Sequence, residues 1–168
     1  MSKKNLSPSM KFFVNNLNSY MAIKNFQSIK QLADELNLNY KRVESWIYYS
    51  KIPSITTLDY VADKMNVFTH DLIGKKINFS TTQKNTIIYN NSPHMFCINL
   101  RKFLNSYDIK SAGEFSDYFE DKISKHTYYS YFRKNNPKIP SLKTIEEIAE
   151  SFNLNPYKLI ERTDNNVK

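Results

Sequence analysis

The chain has 168 residues, with 24 Lys and Arg against 16 Asp and Glu and a formal net charge of +8 at neutral pH. An apolar content of 40% is enough to build a core rather than a disordered tail, and a sequence pI near 9.4 favours an anionic partner. Gly74 and Gly113 are the only glycines, so neither G-x-G-x-x-G nor G-x-x-x-x-G-K-[ST] can be written, and nucleotide-driven enzymes of those classes are excluded.

Residues 1–10 read as a basic arm without the apolar stretch of a signal peptide, expected to be disordered or to run along phosphates. No apolar run approaches the ~20 residues needed to span a bilayer, so a cytoplasmic protein without membrane contact is expected. Residues 11–74 form a first predicted unit. Phe13, Leu17 and Tyr20 fall at i, i+4 and i+7, the spacing of one buried helical face. Ser28 is placed to cap a second helix, with Gln31 three residues on in the capping-box arrangement. Asn39 caps a third helix presenting Val43, Trp46 and Ile47. Ser54, after Pro53, caps a fourth carrying Leu58, Val61, Ala62 and Met65.

Residues 75–93 read as a polar linker, in which the β-branched residues around Ile87 and Ile88 would suit a short hairpin. A second unit follows over 94–162, with a tail at 163–168. Phe96, Leu100, Phe103 and Tyr107 repeat the spacing of the first helix, and Ser111 with Glu114 repeats the capping box. Ser124 caps a helix bearing Tyr128, Tyr131 and Phe132. Ser141 caps one bearing Ile145, Ile148, Ala149 and Phe152, and Asn155 with Pro156 marks a fifth helix as cap and first residue.

The two units share an internal repeat. Leu17-Asn18-Ser19-Tyr20 recurs as Leu104-Asn105-Ser106-Tyr107, and Ile52-Pro53-Ser54-Ile55 recurs as Ile139-Pro140-Ser141-Leu142, both 87 positions later. The same offset carries Val61-Ala62 onto Ile148-Ala149 and Leu72-Ile73 onto Leu159-Ile160. Between these blocks Gln31-Leu32-Ala33-Asp34 matches Glu114-Phe115-Ser116-Asp117 at an offset of 83. Small gaps therefore fall between matched blocks, where loops tolerate them.

The order of a helix, Ser-x-x-Gln-Leu-Ala, a short turn, a polar-capped helix, Pro-Ser-x-x-Thr-Leu and Asn-Val-x-x-x-x-Leu-Ile resembles the Cro and phage-repressor-like (Xre-like) helix-turn-helix family. It covers nearly all of 11–74 and, more loosely, 96–161. The resemblance implies an all-α fold, a tandem duplication of a five-helix lambda-repressor-like unit, in which the third helix enters the DNA major groove. Carried over by position, Tyr40, Lys41 and Ser45 in unit one, and Lys125, His126 and Ser130 in unit two, become base-reading candidates. Arg42 and Thr127 are expected at phosphates, and Asn39, Glu44, Tyr48, Ser124 and Tyr129 complete the candidate DNA-binding set. The family's usual turn glycine is Asn37 here, and unit two has the longer Glu120-Asp121-Lys122. Where the family often has a phosphate-contacting Gln, this chain has Ile29 and Ala112. Trp46 and Tyr131 fall at the family's buried position. Tyr48, Tyr49 and Tyr129 leave core edge, DNA backbone contact and a protein-binding surface open.

Residues 1–87 hold 12 basic and 6 acidic residues, and 88–168 hold 12 and 10. The first unit is therefore the stronger DNA candidate. His70, His94 and His126 stand too far apart for a helix-borne pair, and none neighbours a convincing nucleophile, so neither catalysis nor a metal or other cofactor is expected. Cys97 is expected as a small apolar core residue beside Phe96 and Ile98. The sequence thus points to a double-stranded DNA-binding transcriptional regulator, a repressor. It would act as a monomer with an internal pseudo-dimer, or as a homodimer, on half-sites about 34 Å apart. The alternative is a helix-turn-helix scaffold that binds a protein partner, such as a mobile-element inhibitor of a nucleic-acid enzyme.

Overall fold

The computed structural model describes residues 6–80, 88–120, 123–135 and 137–162. Among these residues every regular element is a helix, and no helix is long and apolar enough to cross a membrane. The first half of the basic arm, Ile87 of the expected hairpin, Asp121-Lys122 of the longer turn and the tail at 163–168 lie outside the described residues. The chain divides between Asn90 and Asn91 into two compact units.

Unit one contains α1 (Pro8–Ile23), α2 (Ile29–Glu35), α3 (Tyr40–Ile47), α4 (Ile55–Met65) and α5 (Thr69–Gly74). Helix α1 starts where Ser7 Oγ accepts from the Met10 amide at 3.4 Å and Pro8, which has no amide to satisfy, opens the first turn. Its inner face carries Met10, Phe13, Leu17 and Tyr20, all buried. Each such side chain removed from water contributes about 1.5–3 kcal/mol before ordering costs. Ser28 and Gln31 form the expected capping box at α2, and Asn39 and Ser54 cap α3 and α4. At the α1–α2 corner Glu35 accepts from Lys24 Nζ at 2.9 Å and from Tyr20 Oη at 3.1 Å. The Lys24 ammonium holds the Glu35 carboxyl below its ordinary value.

Unit two contains α6 (Ser92–Ser106), α7 (Ala112–Tyr118), α8 (Lys125–Tyr131), α9 (Leu142–Ser151) and a single 3₁₀ turn, Pro156–Leu159. The capping box recurs at Ser111 and Glu114, and Ser124 and Ser141 cap α8 and α9. Two sequence expectations are corrected here. The fifth helix of this unit is only the 3₁₀ turn, and Asn155 caps it with its backbone rather than its side chain. Lys158 N donates to Asn155 O and Ile160 N to Tyr157 O, both at 3.0 Å, which takes up the orphan groups through i to i+3 bonds. Tyr107 is 46% exposed because α6 stops one residue before it; its hydroxyl donates to Phe152 O at 3.1 Å while the ring stays at the core edge.

In both units the first helix meets the third through an edge-on aromatic pair. Phe13 and Trp46 have ring centroids 5.6 Å apart at 63°, and Phe96 and Tyr131 lie 5.2 Å apart at 77°. Trp46 and Tyr131 are thus buried as expected. Burial pushes the Tyr131 phenol up to about 12, against the lowering effect of a hydrogen bond with Thr144.

A second constraint escaped the sequence reading. Asn16, fully buried on α1, donates from Nδ2 to Leu72 O at 2.9 Å and Lys75 O at 2.8 Å, while its Oδ1 accepts from Ile77 N at 2.9 Å. It closes the unit by pairing three backbone groups beyond and at the end of α5. Asn99, three residues past Phe96 as Asn16 is past Phe13, donates to Glu161 O at 2.8 Å; the contacts of the two first helices thus correspond at an offset of 83, not at the 87 of the Leu-Asn-Ser-Tyr match. The residues after α5, expected as linker, are accordingly tied down: Phe79 packs edge-on against Tyr20 at 5.3 Å, and Asn90 Nδ2 donates to Asp63 Oδ1 and Val67 O.

Helix ends use left-handed residues other than glycine. Asn25, Asn37 and Asn66 have φ of 56°, 52° and 54°, and Asp108, Glu120 and Asn153 have 58°, 49° and 53° at the matching repeat positions. Asn37 thus fills the turn as the sequence suggests, since Asn tolerates this region.

Asn16→Leu is expected to lower the unfolding free energy by about 3 kcal/mol in urea titrations, because it strands the buried Leu72 carbonyl and takes the partner from two part-buried backbone groups, Lys75 O and Ile77 N. Asn37→Val, an exposed β-branched substitution at positive φ, is expected to cost about 1–2 kcal/mol in the same assay, whereas Asn37→Gly should leave stability unchanged or raise it.

Candidate nucleic-acid interface

Helices α2 and α3 pack against each other across a four-residue turn, as do α7 and α8 across a longer one. In each pair the first helix is fixed at its start by a reciprocal cap. Gln31 N donates to Ser28 Oγ at 3.3 Å and Ser28 N to Gln31 Oε1 at 3.2 Å; Glu114 N donates to Ser111 Oγ at 3.1 Å and Ser111 N to Glu114 Oε2 at 3.0 Å. The amides of Lys110 and Ser111 keep the Glu114 carboxyl below its ordinary value. The second helix of each pair then starts at a short polar cap. Asn39 Oδ1 accepts from Lys41 N at 2.9 Å, and Ser124 Oγ accepts from Thr127 N at 3.3 Å.

With its inner face held by Val43 and Trp46, α3 leaves Tyr40, Lys41 and Arg42 exposed in its first turn. Lys41 forms no ion pair among the described residues. Arg42 is anchored: Nη2 donates to Thr57 Oγ1 at 2.7 Å on the first turn of α4, and the guanidinium lies 5.9 Å from the Trp46 ring centre. This contact prepositions a cation beside the helix without neutralising it. Tyr40 Oη donates to Glu44 Oε1 at 2.7 Å, one turn further on. That bond and the adjacent carboxylate push the Tyr40 phenol above its ordinary value. Tyr48 and Tyr49, just beyond α3, are 66% and 63% exposed.

Tyr40 and Tyr48 share a groove of about 570 Å³ with Gln27, Ser28, Ile29 and Lys30 from the start of α2. Gln27 and Lys30 therefore join the candidate surface, though the sequence reading did not select them. Their signal was available, because both lie within two residues of the Ser28 cap.

Unit two differs in its details. Lys125 and His126 are exposed in the first turn of α8, and Thr127 is half-buried with its hydroxyl 3.2 Å from Ser124 Oγ. Tyr129 is 62% exposed. Tyr128 is drawn into a ring cluster, 5.1 Å from Phe115 and 4.9 Å from Phe132. The expected base-reading role of Ser130 does not fit its placement: the residue is 6% exposed and its hydroxyl donates to Thr127 O at 2.7 Å. Ser45 makes the same bond to Arg42 O at 2.7 Å but stays half-buried. In both helices the hydroxyl bonds back to the carbonyl three residues earlier.

Comparisons with protein-family models, with curated proteins and with solved structures found no match to the chain.

Replacing Glu44 by Ala removes both the acceptor and the charge that raise the Tyr40 phenol, so the Tyr40 titration is expected to move down toward the ordinary tyrosine range. NMR titration of the Tyr40 ring signals in E44A against the parent protein reads this directly.

Proposed function

We propose that the chain is a sequence-specific double-stranded DNA-binding transcriptional regulator, a repressor that occupies a promoter, built as a tandem duplication of a helix-turn-helix unit. The observation that carries this reading is the exposed, cationic first turn of α3, with Lys41 unpaired among the described residues and Arg42 braced on Thr57 beside it. Such a turn can place Lys41 against guanine O6 and N7 while Arg42 and Lys30 meet phosphates. The net positive charge supplies the sequence-independent part of the affinity. Duplication is supported by the matching order of caps, the paired aromatic contacts and the paired asparagines in the two units.

Because Tyr40-Lys41-Arg42 and Lys125-His126-Thr127 present different groups, the two units are assigned unlike half-sites. A second reading, a scaffold for a protein partner, draws on Tyr48, Tyr49 and Tyr129, whose exposed rings suit a protein interface.

Fluorescence anisotropy of the full chain against a random duplex pool and its own upstream region, across a salt series, tests the proposal. The expected result is selective binding whose log affinity falls linearly with log salt. Lys41→Ala should weaken the selected site by about 1–3 kcal/mol and relax preference at one position, whereas Ser130→Ala should leave selectivity unchanged. Weak binding with no preference among sequences overturns the regulator and leaves the protein-partner reading.

A further inference from the structure

We propose that a groove in unit two, at the C-terminal end of α8, binds an acidic peptide segment of a partner protein through one aromatic side chain and its flanking carboxylates. The groove has a volume of about 560 Å³, within the range of about 300–1,000 Å³ that holds organic groups. Its apolar wall comes from Ile98 on α6 and from Phe132 and Pro137 beyond the end of α8. Its rim carries three cations, Arg101, Arg133 and Lys134, and none of its lining residues is acidic. All three are exposed and form no ion pair among the described residues.

The Arg101 guanidinium lies 4.8 Å from the Phe132 ring centre. That cation–π contact holds the guanidinium over the ring, and its N–H groups can meet a carboxylate in the bidentate geometry that arginine favours. An aromatic side chain inserted beside the part-exposed Phe132 would bury its ring against that ring, and acidic neighbours would meet Arg133 and Lys134. A phosphate backbone would satisfy the cations but would leave the concave apolar wall unused, which is why the chemistry favours a peptide. The site is separate from the DNA reading: Lys125 and His126 open α8, whereas this groove lies at its other end, about 10 Å away along the axis.

Cys97 supplies an internal reporter. It is half-buried rather than part of the core as the sequence suggested, it lines the groove, and its thiol donates to Tyr131 O at 3.2 Å. That bond uses a carbonyl left open by the end of α8, and burial pushes the thiol up while Arg101 pulls it down. It is the sole cysteine of the chain, so its alkylation reads this groove alone.

The test uses the full chain and a fluorescein-labelled peptide, acetyl-Glu-Asp-Glu-Phe-Asp-Glu-Asp-amide. Saturable binding is expected by anisotropy, about fivefold weaker for the peptide with Gly in place of Phe and about tenfold weaker for the R101Q/R133Q protein. Lys134→Glu, an exposed loop change away from the core, should weaken binding by a similar factor, with circular dichroism melting confirming that each variant is folded. Saturating peptide should slow alkylation of Cys97 by N-ethylmaleimide about fivefold or more. The proposal is overturned by absence of saturation up to about 1 mM peptide, by equal binding of the Gly peptide, or by alkylation that peptide leaves unchanged. Protection of Cys97 by random duplex DNA but not by peptide would likewise overturn it, and would assign the groove to phosphate.

Discussion

The edge-on contact between the first and third helices of each unit is the interaction on which the presentation of everything else depends. Helices α3 and α8 are eight and seven residues long, well under the length at which an isolated helix holds together in water. Their stability must come from packing. Trp46 seated against Phe13, and Tyr131 against Phe96, supply it from the inner side and fix the rotation of each helix. Once that rotation is set, Lys41 and Arg42, or Lys125 and His126, can only face outward. The cation beside Trp46 belongs to the same arrangement: Arg42 rests on the indole that anchors α3 and reaches Thr57 on α4, so one aromatic side chain organises both the inside and the outside of the helix.

Much of this was legible in the chain because helix boundaries are local chemistry. Ser28, Asn39, Ser54, Ser111, Ser124 and Ser141 each cap a helix where a polar residue precedes an apolar period, and each side chain accepts an amide two or three residues on. The buried faces followed from spacing for the same reason. What the sequence hid was long-range. Asn16 and Asn99 sit in otherwise apolar helical faces, and only the folded chain shows that the carbonyls they need arrive from 56 or more residues away. Ser130 is buried with its hydroxyl donating to Thr127 O, a placement that helical spacing alone did not show. Asn155 looked like a side-chain cap, but the chain turns too tightly after Pro156 for a full α-helical turn to follow.

The two units have the same plan and different surfaces. In unit one the third helix sits beside a groove floored by the start of α2 and edged by Tyr40 and Tyr48. In unit two Tyr128 packs at a tilt against Phe115 and edge-on against Phe132, Tyr129 stays exposed, and cations gather beyond the helix at Arg133 and Lys134. Acidic residues are also more numerous in the second half. A shared plan with unlike faces is the expected result when packing positions are constrained by volume and outward positions are not.

The closures made by Asn16 and Asn90 bear on how the protein is made. Asn16 bonds to residues 72–77, and Asn90 bonds to Asp63 and Val67, so every partner that completes the first unit lies within the first 90 residues. Synthesis proceeds from the N-terminus, at a pace of about 5–20 residues per second. The first unit can therefore collapse and seal its core on the ribosome while the second is still being translated. Two neighbouring segments of similar sequence are prone to exchange equivalent helices during folding. Early closure of one of them removes its helices from that competition before their counterparts exist.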